Sequence, residues 1–81
     1  MARILVVEDD KNLRLTIDDV LTGAGHRVTA AVSAADGWDR VSAAHFDLAI
    51  VDIHLPDGSG VELFGKIRSV DSTVPVILMT A

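Results

Sequence analysis

Carboxylates and one hydroxyl stand in this chain where apolar runs end. Glu8, Asp9 and Asp10 follow the run Ile4 to Val7, Asp52 follows Leu48 to Val51, and Thr80 follows Val76 to Met79. If the first two runs are neighbouring strands, Asp9 and Asp52 share one cleft with Glu8, and their mutual repulsion needs an offset. A hard divalent cation is the natural one: Mg²⁺ prefers oxygen ligands, accepts one or two carboxylates and keeps several waters. Such a site can also bring a phosphoryl group to a carboxylate nucleophile, because the metal screens the charge that would repel it. Thr80 adds a hydroxyl donor, and Ala81 beside it leaves room for an incoming group.

The elements that must position these residues are legible from periodicity. Ile4 to Val7 is too short for a helix and does not alternate, which suits a strand buried on both faces of a parallel sheet. From Lys11 the apolar residues Leu13, Ile17, Val20, Leu21 and Ala24 recur at helical spacing, with Gly23 and Gly25 as stop signals, so a helix is expected over about 11 to 24. Arg27 to Val32 is a short β-branched segment. Ser33 can cap a second helix with an inward stripe of Ala34, Trp38 and Val41, although Gly37 inside it costs about 1 kcal/mol relative to Ala. Phe46 to Val51 repeats the first strand's pattern and ends at Asp52. Leu55 to Gly58 has turn chemistry, and Val61, Leu63, Phe64, Ile67 and Val70 supply the next helical face. Pro75 is tolerable where a strand begins, and Val76 to Met79 is another buried-type run.

The order is β-α-β-α-β-α-β, which implies an α/β, doubly wound parallel sheet with right-handed crossovers. Such sheets bind ligands beyond the carboxyl ends of their strands, where strand order reverses. The three polar strand ends should meet there.

Composition bounds the alternatives. The 81 residues are 49% hydrophobic and carry 7 Lys+Arg against 12 Asp+Glu, a net charge of -5. Five of those acids (Glu8, Asp9, Asp10, Asp52, Asp57) are expected around the cleft, and the rest of the chain is then balanced. An acidic balance without a basic run argues against nucleic-acid binding by this segment. No apolar stretch reaches the roughly 20 residues of a membrane span, so the chain reads as soluble and cytoplasmic. Cysteine is absent, which excludes a disulfide framework or a thiolate metal site.

These residues at these spacings resemble the receiver domain of two-component response regulators. The resemblance runs through Val-Val-Glu-Asp-Asp at 6 to 10, the stretch Asp52-Ile53-His54-Leu55-Pro56-Asp57-Gly58-Ser59-Gly60, and the ending Met79-Thr80-Ala81. It implies a flavodoxin-like strand order and a phosphorelay role. Asp52 would take a phosphoryl group from a phosphohistidine on a sensor histidine kinase or phosphotransfer protein and later lose it to water. Asp9 would ligate Mg²⁺, with Glu8 acting directly or through water, Asp52 itself, and the backbone carbonyl of His54 completing the set. Thr80 would be the switch hydroxyl. The module would signal rather than act as an enzyme, beyond its own phosphorylation and dephosphorylation.

The sequence also departs from the family. A receiver carries a lysine at the end of a fifth strand and an aromatic switch partner, and neither exists among these 81 residues; Lys66 lies in the third helical pattern. Residues 1–81 therefore read as one partial receiver domain, cut after its fourth strand. The fourth strand would then be an apolar edge, and either self-association through it or poor folding as a monomer is expected.

Alternative readings are bland or different in class. Asp10 can be a helix cap, Asp57 and Gly58 a turn, His26 and His45 exposed loop residues, and Trp38 a boundary residue of its helix. A haloacid-dehalogenase-like aspartyl-phosphate phosphatase also uses a strand-end Asp, but with an Asp-x-Asp pattern, and position 54 here is His. A nucleotide-binding domain would need a Gly-rich phosphate loop after the first strand. A fragment serving assembly without phosphotransfer is the remaining alternative.

Overall fold

The structure is a computed structural model and describes residues 1–80. Ala81, with the room expected beside Thr80, lies outside the described residues. Strand β1 (Arg3–Val7) leads to helix α1 (Lys11–Gly23), then β2 (Arg27–Ala31), α2 (Ala34–Ala43), β3 (Leu48–Asp52), a small hairpin β4 (His54–Leu55) and β5 (Gly58–Ser59), α3 (Gly60–Val70) and β6 (Val76–Met79). The four longer strands form one parallel sheet in the order β2-β1-β3-β6. Chain order reverses beside β1, so the gap between β1 and β3 is the switch point.

Each helix starts at a residue chosen for it. Asp10 caps α1 by accepting the backbone N–H groups of Asn12 and Leu13, Ser33 caps α2 through Asp36 N–H, and Ser59 caps α3 through Val61 N–H. Helix α1 stops in a Schellman arrangement: His26 N–H donates to Leu21 O, Gly25 N–H to Thr22 O, and Gly25 takes φ 92°, a conformation costly for any residue with a Cβ. Of the two expected stop glycines, Gly25 is the one the backbone needs.

Strand alternation divides the sheet into two faces. Leu5, Val7, Ala49 and Val51 point to one face and pack with Leu63 and Ile67 of α3 and Trp38 and Val41 of α2. Full burial of such side chains stabilises by about 1.5–3 kcal/mol each. Gly37 is what lets α2 approach: a Cβ there would come within 2.9 Å of Val7 and 3.0 Å of Leu63. Its cost in helix propensity is thus offset by close helix–sheet packing.

The opposite face carries Ile4 and Val6, both buried, where α1 packs on β1 and β2. Beyond them the same face is open, and Ile77 on β6 is 50% exposed.

Several expected core positions lie elsewhere. No residue of α1 is fully buried, and Val20 is 65% exposed. In α3 the buried side chains are Leu63 and Ile67, while Val61 and Val70 face solvent. A period of 3.6 identifies an apolar stripe but not the width of cover that neighbouring elements supply. The third strand begins at Leu48 rather than Phe46, yet Phe46 is buried in the preceding loop. His26 is half-buried, its Nδ1 accepting Ala2 N–H at 3.0 Å, and His45 is exposed beside Asp47 and Asp71.

Candidate functional site

Register builds the site. Val7 pairs with Val51, so the residues that follow β1 and the one that ends β3 emerge at the same edge of the sheet. One carboxylate oxygen from each of Glu8, Asp9 and Asp52 lies within 4.8 Å of the others. Glu8 is 2% exposed and Asp52 4%, while Asp9 faces solvent and leaves the cluster open on one side.

Two backbone donors hold the buried carboxylates. Asp10 N–H donates to Glu8 Oε2 at 3.1 Å, and His54 N–H donates to Asp52 Oδ1 at 3.1 Å. Burial pushes the Glu8 carboxyl above its ordinary 4.5; the Asp10 amide opposes that shift, and hydrogen bonding and repulsion from Asp52 reinforce it. The donor set is entirely oxygen and carries excess negative charge, which fits a hard divalent cation and not a soft one.

The loop after Asp52 is tightly specified. Gly60 N–H donates to Ile53 O at 2.8 Å, and a side chain at Gly60 would run into the Asp52 carbonyl. The hairpin turns at Pro56 and Asp57, and both oxygens of Asp57 leave the cluster: Oδ1 accepts Ala34 N–H at 2.8 Å and Oδ2 accepts Ala35 N–H at 2.9 Å. Asp57 thus ties this loop to the first turn of α2, and those two amides hold its carboxyl below the ordinary 3.8.

The five acids expected around the cleft divide accordingly. Asp10 caps α1, Asp57 caps α2, and only Glu8, Asp9 and Asp52 meet. Local turn chemistry did not reveal that Asp57 serves a helix 22 residues upstream. Thr80 is exposed and follows β6, one residue past Met79, the residue paired with Asp52. His54 contributes its N–H to Asp52, a contact its side chain gave no hint of. Arg14 was also missed as a neighbour of the acidic segment: its Nη1 donates to the carbonyls of Glu8 and Asp9. A cavity of about 410 Å³ near His45, Val70 and Val74 holds none of the three carboxylates.

A parallel sheet with this strand order and an acidic cluster at its switch point has counterparts among known proteins. Residues 4–81 match the model of the response regulator receiver domain. The chain belongs to that family. The response regulator ArlR of Staphylococcus aureus is 38% identical over 81 residues, all of this chain and 36% of that protein. The chain thus spans about a third of that relative's length. Among solved structures, the response regulator TrrA of Thermotoga maritima in complex with Mg²⁺ and BeF superposes with a TM-score of 0.95 at 34% identity, over 100% of this chain and 70% of that one. TrrA in complex with the histidine kinase ThkA gives 0.93 at 34% identity, with the same coverage. The receiver fold implied by the resemblance is therefore present, and among the described residues no helix is long and apolar enough to cross a membrane.

Proposed function

We propose that this receiver domain accepts a phosphoryl group on Asp52 in a Mg²⁺-dependent phosphorelay. The observation that carries the reading is the convergence of Glu8, Asp9 and Asp52 within 4.8 Å at the switch point of a receiver fold. Glu8 and Asp9, with Asp52 and the backbone carbonyl of His54, would hold the cation. Bound there, Mg²⁺ supplies charge neutralisation for an incoming phosphoryl group.

The chain's own residues do the rest. The His54 amide fixes the Asp52 carboxylate through Oδ1, so the nucleophile does not rotate freely. An oxygen of Asp52 attacks phosphorus as the bond to the donor's histidine nitrogen breaks, and water later cleaves the acyl phosphate to restore the carboxylate. Thr80 is the hydroxyl that would turn toward the phosphoryl oxygens. The donor is a sensor histidine kinase or phosphotransfer protein, a reading supported by the TrrA–ThkA complex. A cytoplasmic location goes with this reading.

The test is incubation with Mg²⁺ and acetyl phosphate followed by intact-mass measurement. A single phosphoryl adduct on the wild type and none on Asp52→Asn is expected. An adduct on both, or turnover of unrelated phosphomonoesters, would overturn the assignment.

We also propose self-association through β6. Among the described residues the strand is an edge of the sheet, and Ile77 and Leu78 are exposed on its two faces.

A further inference from the structure

Adjacent residues of a strand point to opposite faces of its sheet. Glu8 and Asp9 are adjacent, yet their carboxylates reach one cluster with Asp52. Something must therefore bend the backbone between them, out of the extended geometry of β1. The ladder does not do it. The last pairs of β1 are Val7↔Ala31 and Val7↔Val51, and the last bond of this segment to β2 is Glu8 N–H to Ala31 O at 3.0 Å.

The carbonyls of Glu8 and Asp9 are taken up from α1 instead. Arg14 Nη1 donates to Glu8 O at 3.0 Å and to Asp9 O at 3.3 Å. Successive carbonyls of an extended chain point in opposite directions, so two that converge on one nitrogen describe a turn. Arg14 is itself half-buried, and its backbone N–H makes the first i→i−4 bond of α1, to Asp10 O at 2.9 Å, so its backbone is fixed relative to the turn its side chain reaches.

We propose that Arg14 is a positioning residue for the acidic site: by clamping the Glu8 and Asp9 carbonyls it turns both carboxylates toward Asp52 and prepares them for a divalent cation. The inference rests on the metal-binding reading above. It makes a prediction opposite in sign to that of simple electrostatics. A guanidinium held on the Glu8 and Asp9 carbonyls adds positive charge to the segment that carries two of the carboxylates and opposes the entry of a cation, so if its charge were all that mattered, removing it would strengthen Mg²⁺ binding. If it holds the turn, removing it weakens binding.

The experiment measures the thermal midpoint of the 81-residue chain against Mg²⁺ concentration, from which an apparent Kd follows because the ion binds the folded state. Arg14→Met removes charge and donors while keeping the stem, and Arg14→Lys keeps a charged nitrogen. Arg14→Met is expected to weaken Mg²⁺ binding about tenfold or more, the usual effect of losing a partner that orients a ligand, and Arg14→Lys to stay within about threefold of wild type. Should Arg14→Met fail to fold by far-UV circular dichroism, Arg14→Gln, shorter and neutral, replaces it with the same expectation.

Equal or tighter Mg²⁺ binding by the folded neutral variant, with the wild type binding normally, overturns the proposal alone. A lower metal-free midpoint with unchanged Mg²⁺ dependence also overturns it, since that is a purely structural role. Absence of Mg²⁺ binding by the wild type overturns the metal-binding reading and this proposal with it.

Discussion

Gly60 lies against the backbone of Asp52 so closely that a Cβ there would meet the Asp52 carbonyl oxygen and approach its carbonyl carbon to 2.8 Å. The neighbouring atoms are backbone, which cannot rotate aside as a flexible side chain does. Gly60→Ala is therefore expected to displace the segment that carries the proposed phosphoacceptor. Overpacking of this kind costs about 1–3 kcal/mol. Urea denaturation should show the loss, and Mg²⁺ should stabilise the variant less than the wild type. Gly65, with nothing within 4 Å of a built Cβ, is the control: Gly65→Ala in α3 should be neutral or stabilising.

Asp57 should carry a pH signature. The amides of Ala35 and Ala34 depress its carboxyl below 3.8, so its contribution is present above the unfolded value and is lost as pH falls through the lower folded value. Asp57→Ala is expected to melt at a lower temperature than wild type at neutral pH. The difference should shrink as pH falls below 3.8, because the wild type then loses the same charge. A difference constant down to the most acid pH at which both chains fold would show that the carboxylate's charge is not the source.

The acidic cluster should cost stability when no cation is bound. Two like charges at the separation found here, within 4.8 Å, repel by on the order of 3 kcal/mol at an effective dielectric of about 20. Asp52→Asn should therefore raise the metal-free midpoint; relief of about 1 kcal/mol corresponds to roughly 4–8 °C in a domain of this size. Added Mg²⁺ should raise the wild-type midpoint and raise that of Asp52→Asn less. Glu8→Gln should act in the same direction, since burial and Asp52 both disfavour the charged form of Glu8.

The β6 edge should control assembly. Ile77→Lys places a charge on an exposed edge position and is expected to shift the chain toward monomer in sedimentation velocity at high concentration, without loss of helical circular dichroism. A concentration-independent monomer in the wild type would remove the basis for association through this strand.

The apolar runs ending in Glu8, Asp52 and Thr80 were enough to read the alternation of strands and helices, the parallel sheet and the end of it where a site must lie, whereas the strand order came only from the resemblance to receivers. Those features depend on local pattern and on connection handedness, which sequence carries directly. Likewise Ser33 as a cap and Asp10 as its counterpart on α1 follow from what lies next to them in the chain.

What Asp57 binds was not decided locally. It sits five residues after Asp52 in a turn sequence, yet its partners are Ala34 and Ala35, and only the packing of α2 beside the hairpin sends it there. The same holds for Arg14, which nothing in the local sequence singles out and which the folding of α1 along β1 brings to the Glu8 and Asp9 carbonyls. Leu13 and Val20 of α1 and Val61 and Val70 of α3 read as core and are exposed, because burial depends on what covers a face and not on the face alone. Residue type and spacing thus determined the chemistry available to this chain. Tertiary structure decided how deeply Glu8 and Asp52 are buried and where Asp57 and Arg14 are bound, because burial and hydrogen-bond partners are set by elements distant in sequence.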